Sequence, residues 1–206
     1  DCLKPLTAFV RPQYTVPNTH LHQAQVKSQL GQEYWLAMNL AGDYASACHE
    51  IIHRKMQHAL GAEVLTKVEN HHNFAWKEIW NGEEVIVHRK GATPAAKGVM
   101  GIIPGSMTAP GFLVRGKGEE NAINSASHGA GRQMSRTQAI KTITTNQMQT
   151  ILKDQGVTLI GAGLDEAPMA YKDIHQVMAA QQELVEGVAK FTQKMVRMAD
   201  DGSRED

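Results

Sequence analysis

The feature that most limits the fold is a stretch rich in glycine and proline near the middle of the chain. Residues 91–118 contain seven glycines and three prolines, with the short apolar segments Ile102-Ile103 and Phe112–Val114 between them. Glycine weakens helices, and proline breaks both helices and sheet interiors, so a long regular element is excluded here. The stretch therefore predicts short strands joined by tight loops whose backbone shape matters.

The flanking regions carry helical and strand patterns. Apolar residues at three- and four-residue steps predict an amphipathic helix with one buried face from Gly31 to about Leu60. These residues are Tyr34, Met38, Ala41, Ala45, Cys48 and Ile52. A second helix is predicted from Ser135 or Thr137 to about Asp154, and strands at Val85–Val87 and Val157–Ile160.

A last helix is predicted after the potential cap Asp173. Its apolar residues would be Ile174, Val177, Met178, Leu184, Val185 and Val188. Together these elements predict an α+β fold, in which short strands and glycine-rich loops are flanked by helices.

The length and the two ends of the chain indicate one domain with irregular termini. The 206 residues can bury a real core. Residues 1–30, with three prolines, predict an extended lead-in, and the polar residues 200–206 predict a frayed tail. The chain begins Asp1-Cys2 without methionine, so we expect part of a longer or processed protein.

Composition excludes several classes of protein. Lys+Arg and Asp+Glu each number 21, so the overall charge does not indicate nucleic-acid binding, which would need a local basic patch. No apolar run approaches the roughly 20 residues that cross a bilayer, and no signal-peptide pattern opens the chain. Two cysteines are too few for a disulfide framework. We expect a protein of the reducing cytoplasm without membrane association.

The segment NSASHGAGRQMSR, residues 124–136, surrounds His128 with very small residues. Imidazole can act as a base, a metal ligand or a nucleophile. Gly129 and Gly131 would let backbone N–H groups approach an anion, and Arg132 could bind a phosphate through two nitrogens. The alternative is a tight turn that needs glycine for positive φ, with His128 hydrogen-bonded nearby. Both interpretations stay open on composition alone.

A second histidine motif is ENHHN, with His71 and His72 before Asn73. Adjacent strand residues point to opposite faces, so only one of these histidines is expected to enter a given site. Imidazole is a common ligand of transition metals, and an amide can donate to or accept from a ligand group. The alternative is a polar strand end.

Two further stretches suggest a phosphate site. Arg89, Lys90 and Lys97 form a local basic cluster, and Pro104-Gly105-Ser106 is a turn with a hydroxyl at its tip. Glycine loops beside cations can bind phosphates, but neither a Walker pattern nor G-x-G-x-x-G is present.

A competing motif lies on the first predicted helix. His49-Glu50-Ile51-Ile52-His53 matches H-E-x-x-H, in which two histidines bind zinc and the glutamate acts as general base. No H-x-x-G-x-x-H extension follows. A zinc peptidase is therefore a minor alternative to a solvated helix face.

Six segments occur in an order that resembles RtcB-type RNA ligases: GQEYWLAMNLAGDYA, HHN, RKGA, KGVMGIIPGSM, SASHGAGRQMSR and DEAPMAYKDI. They extend from about Gly31 to Ile174. The resemblance implies an RtcB-like fold in which residues 1–206 are the C-terminal portion of a single catalytic domain. It also implies GTP and Mn²⁺ as cofactors, and a ligase that joins RNA 2′,3′-cyclic phosphate or 3′-phosphate ends to 5′-hydroxyl ends. An archease-type activator is a possible partner.

The resemblance also implies roles for individual residues. His128 matches the nucleophile that takes GMP from GTP, and Arg132 a basic residue that assists at phosphate. His72 matches a manganese ligand within the nucleotide site, and Asn73 a nucleotide contact. Further nucleotide contacts implied by the resemblance are Pro104, Gly105, Ser106, Met107, Gly129, Ala130 and Gly131.

The chain departs from the family pattern at several positions. Thr108 stands where relatives have glycine, Gly111 where they have serine, and Met198 at the position of a lysine that reads the guanine. The other metal ligands of the family, a cysteine and further histidines, belong to an N-terminal half that these residues do not include. Two expectations follow: the 206 residues alone are inactive, and a degenerate RtcB-like protein that binds RNA ends or a partner is the alternative function.

Overall fold

The computed structural model describes residues 27–198. Most of the predicted lead-in and all of the predicted tail lie outside the described residues. The chain divides into two compact units, residues 1–67 and 68–206, and each is described by itself. The assignment of the whole chain to one catalytic domain stays a prediction.

The described part of the first unit is dominated by one helix, α1 (Gln29–Leu60), which confirms the helix predicted from residue 31. The Ser28 hydroxyl accepts from the Gly31 backbone N–H (3.1 Å), and Gly61, with a φ of 59°, ends the helix in the left-handed conformation. The predicted buried face is wrong, because Gly31 is the only buried residue of this helix. Among residues 27–198, no helix is both long and apolar enough to cross a membrane.

The described part of the second unit consists of nine short strands and three short helices. The strands are β1 (Asn73–Trp80), β2 (Glu83–Lys90), β3 (Ala92–Pro94), β4 (Met100–Ile103), β5 (Gly111–Gly116), β6 (Ser125–Ser127), β7 (Thr158–Gly161), β8 (Val185–Phe191) and β9 (Met195–Arg197). The helices are α2 (Arg136–Thr142), α3 (Thr145–Asp154) and α4 (Ile174–Ala180). Single 3₁₀ turns lie at Glu120–Ala122, Leu164–Glu166 and Pro168–Ala170.

The strands form four small sheets, as the glycine and proline content predicts. Strands β1 and β2 make an antiparallel hairpin, β3 pairs with β6, β4-β5-β8 form an antiparallel sheet, and β7 runs parallel to β9. Asn81 and Gly82, with φ values of 52° and 82°, connect β1 to β2. Positive φ at both residues is what a two-residue hairpin turn requires. The α+β class is confirmed.

The predicted helix from residue 135 to 154 is two helices. Ser135 caps α2, but the chain becomes extended at Ile143, and Thr144 starts α3 with a capping box. The Thr144 hydroxyl accepts from the Gln147 N–H (3.3 Å), and the Gln147 side chain accepts from the Thr144 N–H (2.9 Å). The helical spacing continues through this break, so periodicity did not show it.

The last predicted helix is also shorter than expected. Asp173 caps α4 as predicted, yet α4 ends at Ala180. Val185 and Val188 belong to β8, where β-branched side chains are favoured. The Gln181 side-chain oxygen accepts from the Ser127 backbone N–H (2.9 Å), which fixes the turn that leads from α4 towards β8.

Two apolar clusters form the core of this unit. One contains Ala95, Ile103, Val114, Ala126, Ala130, Ile174 and Val185. The other contains Met107, Ala139, Ile143, Met148, Leu152, Val157, Ala167, Ala170 and Val196. The loop Pro104–Ser106 runs from Ile103, 0% exposed, to Met107, 2% exposed. Both ends of this loop are therefore anchored by buried side chains.

Candidate active site

The structure brings His72 and His128 together. Their rings stack with centroids 5.0 Å apart and an interplanar angle of 12°. His72 directly precedes β1, and His128 directly follows β6. The neighbouring His71 ring packs against Phe74 instead, at 5.3 Å. Of the two adjacent histidines, His72 is therefore the one that lies beside His128, and its place in a binding site stays a prediction.

Gly91 joins the backbones of the two histidines. Its N–H donates to the His72 carbonyl (2.9 Å), and its own carbonyl accepts from the His128 N–H (3.4 Å). Gly91 has a φ of 72°, and a Cβ there would lie 3.7 Å from His128 Nδ1. The residue between β2 and β3 is thus part of the site, which sequence patterns did not reveal.

The His128 ring is half-buried, and its Nδ1 atom is shielded from solvent without a hydrogen-bond partner among the described residues. Buried polar atoms nearly always have a partner, so an exception in a native structure needs an explanation. The alternative in which His128 is a hydrogen-bonded turn residue does not hold for this atom. A functional imidazole beside a second imidazole accounts for the observation better.

The small residues after His128 fit against the loop Pro104–Met107. The Ala130 N–H donates to the Pro104 carbonyl (3.1 Å), and a Cβ at Gly129 would lie 3.2 Å from the same oxygen. Gly131 has open space around it but a φ of 71°. The two loops predicted to contact one nucleotide are therefore neighbours.

Within the Pro104–Met107 loop, each residue has a distinct environment. The Ser106 hydroxyl accepts from the Ala109 N–H (3.2 Å), which closes a local turn. A Cβ at Gly105 would lie 2.5 Å from the Pro110 carbonyl, so only glycine fits. Met107 is buried in the core, so its side chain anchors the loop.

Arg132 is held by protein acceptors. Its guanidinium donates to the carbonyls of Met134 (3.2 Å) and Asp165 and to the Tyr171 hydroxyl (3.3 Å), and it lies 5.1 Å above the Tyr171 ring. It also lies 3.5 Å from the Glu166 carboxylate. These contacts stabilise the segment after His128. The role of Arg132 at a phosphate stays a prediction.

Glu166 is the centre of this charged cluster and is 5% exposed. It accepts from the Tyr171 hydroxyl and from Arg136, and Arg136 also pairs with Asp165. Burial, followed by the hydrogen bond to Glu166, raises the pKa of Tyr171 to about 12. The hydrogen bond to Asp165 raises the pKa of Arg136. Sequence patterns gave no role to Glu166, because two of its partners, Arg132 and Arg136, are distant in the chain.

The predicted basic cluster is wrong for Arg89, which is 3% exposed. Its guanidinium pairs with Glu78 of β1 and donates from Nε to the Ser125 hydroxyl (2.7 Å). The hydrogen bond from Arg89 lowers the pKa of Glu78. Lys90 and Lys97 are exposed, as a phosphate-binding cluster requires.

The H-E-x-x-H motif lies on an exposed stretch of α1. The Glu50 carboxylate is occupied by an ion pair with Lys67, whose hydrogen bond lowers the Glu50 pKa. Within residues 27–198, no three or more histidine, cysteine, aspartate or glutamate side chains are grouped to hold a metal ion. His49 and His53 are both exposed, which favours the solvated helix face over a zinc peptidase.

The structure describes the surroundings of two departures from the family pattern. A Cβ at Gly111 would lie 2.2 Å from the outer end of the ring of Phe191, its partner across the β5–β8 pair, so a serine there would require this exposed ring to move. Met198 follows β9, donates to the Gly161 carbonyl (2.8 Å) and packs against the core. Nothing in the structure explains Thr108.

Comparison with known proteins supports the resemblance to RtcB-type ligases. A family model described as "tRNA-splicing ligase RtcB" matches residues 5–199. The RNA-splicing ligase RtcB of Escherichia coli K12 is 46% identical over 129 residues, which cover 63% of this chain and 32% of the relative.

More distant relatives match over a larger part of the chain. The tRNA-splicing ligase RtcB of Methanococcus maripaludis is 33% identical over 194 residues, covering 79% of this chain and 40% of the relative. The RNA-splicing ligase RtcB of Mycobacterium tuberculosis is 30% identical over 206 residues, covering 88% and 47%. The chain thus spans between a third and a half of the length of these relatives, and it belongs to the RtcB family of tRNA-splicing ligases.

Proposed function

We propose that this chain provides the nucleotidyl-transfer part of a GTP- and Mn²⁺-dependent RNA ligase, which joins 3′-phosphate or 2′,3′-cyclic phosphate ends to 5′-hydroxyl ends. The observation that carries the proposal is the stacked pair of His72 and His128, with a buried, partnerless Nδ1 on His128. The names of the relatives supply the substrate class, since they are RNA- and tRNA-splicing ligases.

In this proposal His128 is the nucleophile. We assign the attack to Nε2, because Nδ1 is shielded from solvent. Nε2 forms a bond to the α-phosphorus of GTP, the bond to the bridging oxygen breaks, and pyrophosphate leaves. An oxygen of the RNA 3′-phosphate then takes GMP and releases His128. The 5′-hydroxyl oxygen attacks the activated phosphorus, its proton passes to solvent, and GMP leaves. A cyclic phosphate end is first opened by water.

The proposal gives the neighbouring residues binding roles. The loops Pro104–Met107 and Gly129–Gly131 would lie against the nucleotide, with Asn73 beside them. Their small side chains and mutual contact leave backbone groups close to His128. Arg132, which directly follows this loop in sequence, would add positive charge near the phosphate.

His72 would hold a manganese ion, which neutralises charge on phosphate oxygens when bound. One imidazole does not complete such a site, and residues 27–198 hold no group of three or more candidate ligands, so we assign the remaining ligands to polypeptide outside the described residues. The RNA ends and an archease-type activator are the proposed partners, and the proposed compartment is the cytoplasm.

Covalent labelling tests the nucleophile. We expect the full-length protein to retain radioactivity from [α-³²P]GTP in the presence of Mn²⁺, and His128→Ala to retain none. His88→Ala is a matched control, because His88 is an exposed histidine on β2. Equal labelling of His128→Ala and wild type would refute the assignment. A wild type that takes no label and gives no heat with millimolar GTP would support the degenerate binding protein instead.

A further inference from the structure

We propose that Arg89 is a positioning residue that sets the distance and angle between the His72 and His128 rings. The inference concerns geometry, and its importance for catalysis rests on the proposed function. Arg89 does not touch either imidazole in the described contacts. It connects the element that carries one histidine to the element that carries the other.

The Arg89 guanidinium makes contacts both with β1 and with the segment around β6. Towards β1, its two terminal nitrogens reach the Glu78 carboxylate at 2.5 and 3.2 Å, and its plane lies 5.1 Å from the Trp76 ring centre. Towards β6, Nε donates to the Ser125 hydroxyl (2.7 Å), and a terminal nitrogen donates to the Ile123 carbonyl (2.9 Å). A planar fork of five donors makes this arrangement possible, and lysine cannot reproduce it.

These contacts join two separate sheets. His72 lies at the start of the β1–β2 hairpin, and His128 lies at the end of β6, which pairs with β3. Between β2 and β3 the chain passes through Gly91 alone, whose φ of 72° makes it a bend. A single-residue bend leaves the angle between two small sheets weakly determined.

One of the two backbone hydrogen bonds at this bend is weak. The Gly91 N–H donates to the His72 carbonyl at 2.9 Å, but the His128 N–H lies 3.4 Å from the Gly91 carbonyl, longer than the usual 2.9–3.0 Å of such bonds. The Arg89–Ser125 bond is shorter, and it lies three residues before His128. We infer that the Arg89 contacts, added to the Gly91 bonds, hold the hairpin against β6 and keep the two rings stacked.

Burial explains why this connection would be rigid. Arg89 is 3% exposed, and a buried charge is tolerated only with its acceptors in place. Any rotation of the hairpin away from β6 would break the hydrogen bonds from the guanidinium to the Ser125 hydroxyl and the Ile123 carbonyl. The two sheets are therefore expected to move as one body while Arg89 is present.

The test compares Arg89→Lys and Ser125→Ala with wild type. Arg115→Lys is the matched control, because Arg115 is half-exposed on β5 and has only a 3.6 Å ion pair with Glu186. Thermal unfolding by circular dichroism establishes that each variant is folded. Imidazole resonances of His72 and His128 report ring stacking through their mutual ring-current shifts. The rate of GMP labelling at varied GTP concentrations separates turnover from nucleotide affinity.

We expect Arg89→Lys to lose the mutual ring-current shift and to label about tenfold or more slowly, because small misplacements of reacting groups cost about that much or more. The apparent KM for GTP should change much less than the rate. Ser125→Ala should show the same changes to a smaller degree, and Arg115→Lys none.

A folded Arg89→Lys protein that keeps its ring-current shift and labelling rate would overturn the proposal. If Arg89→Lys does not fold, Ser125→Ala decides, and an unchanged ring-current shift in that variant counts against the inference. If wild type takes no label at all, the proposed function fails, but the ring-current measurement still tests the positioning role.

Discussion

Glycine occupies three positions around His128 for three different physical reasons. Gly91 leaves room beside Nδ1 and makes a bend with positive φ. Gly129 allows the Pro104 carbonyl to approach closely, while Gly131 has free space and is needed for its backbone conformation alone. A side chain at each position would therefore disturb the site differently: at the imidazole, at the loop contact, or through backbone strain.

The phenol of Tyr171 should ionise later than an ordinary tyrosine. Burial and the hydrogen bond to Glu166 raise its pKa to about 12, from the ordinary tyrosine value of about 10. Between these values the folded state binds the proton more tightly than the unfolded state, so stability falls as pH rises through this window. Absorbance at 295 nm should show one phenol that titrates about two pH units above that ordinary value.

Tyr171→Phe supplies the control for this titration. It should remove the late step and the associated loss of stability, and leave the earlier steps unchanged. If every phenol of the wild type titrates near pH 10 while circular dichroism shows a folded protein, the Tyr171–Glu166 contact is refuted.

At the scale of elements, the β5–β8 strand pair should resist a side chain at position 111. Gly111→Ser places a Cβ where the Phe191 ring lies, so this exposed ring must move, which should reduce the free energy of unfolding by about 0.5–1.5 kcal/mol. Denaturant titration measures this change. Gly187→Ser on β8 is the matched control, since a Cβ there meets nothing within 4 Å.

The double variant Gly111→Ser/Phe191→Ala isolates the cause. If the ring is responsible, the serine should cost much less in the Phe191→Ala background than in wild type. An equal cost in both backgrounds would mean that Gly111 is required for another reason.

The elements differ in how far the sequence could predict them. Helix α1 carries a long helical pattern and strand β2 a short β-branched one, and both occur where expected. The break at Thr144 was missed because the helical spacing continues through it, although Thr144-x-x-Gln147 is itself a capping-box pattern. Val188 was assigned to a helix because its spacing from Leu184 fits both periods, and only pairing with β5 places it in a strand.

Like the elements, the residues of the candidate site were only partly predictable from the sequence. The motifs around His72 and His128 identified both histidines, and the structure stacks them. The roles of Arg89 and Glu166 were missed because they depend in part on partners 30 or more residues away in sequence, such as Ser125 for Arg89 and Arg136 for Glu166. From sequence alone, a cation near a glycine predicts a phosphate site. The structure shows that Arg89 is buried, so its guanidinium binds groups of the protein instead.

At the scale of the whole molecule, the proposal that other polypeptide supplies the remaining metal ligands predicts how the 206 residues behave alone. The proposal gives them the nucleophile and one metal-binding imidazole, and the matched Escherichia coli relative is about three times longer than the matched region. We expect the 206-residue chain with Mn²⁺ and labelled GTP to retain no more radioactivity than its His128→Ala variant. Supplying the unmatched portion of a relative in trans should raise labelling of the wild-type chain only.

Two outcomes would contradict this expectation. Strong labelling of the isolated chain would show that its own residues complete the metal site. Labelling that survives His72→Ala in the complemented mixture would remove His72 from that site. Both measurements use the same gel assay, so the comparison does not depend on RNA.

The β1–β2 hairpin restricts how this chain can vary in length. Its eight cross-strand pairs are consecutive, its turn has only two residues, and its side chains alternate between the two faces. Deleting one residue between Glu83 and His88 would turn Arg89 to the opposite face, where its carboxylate and hydroxyl acceptors are out of reach. Deleting two would keep the face. Insertions and deletions here are therefore constrained by parity: even changes keep Arg89 on its face of the hairpin, and odd ones reverse it.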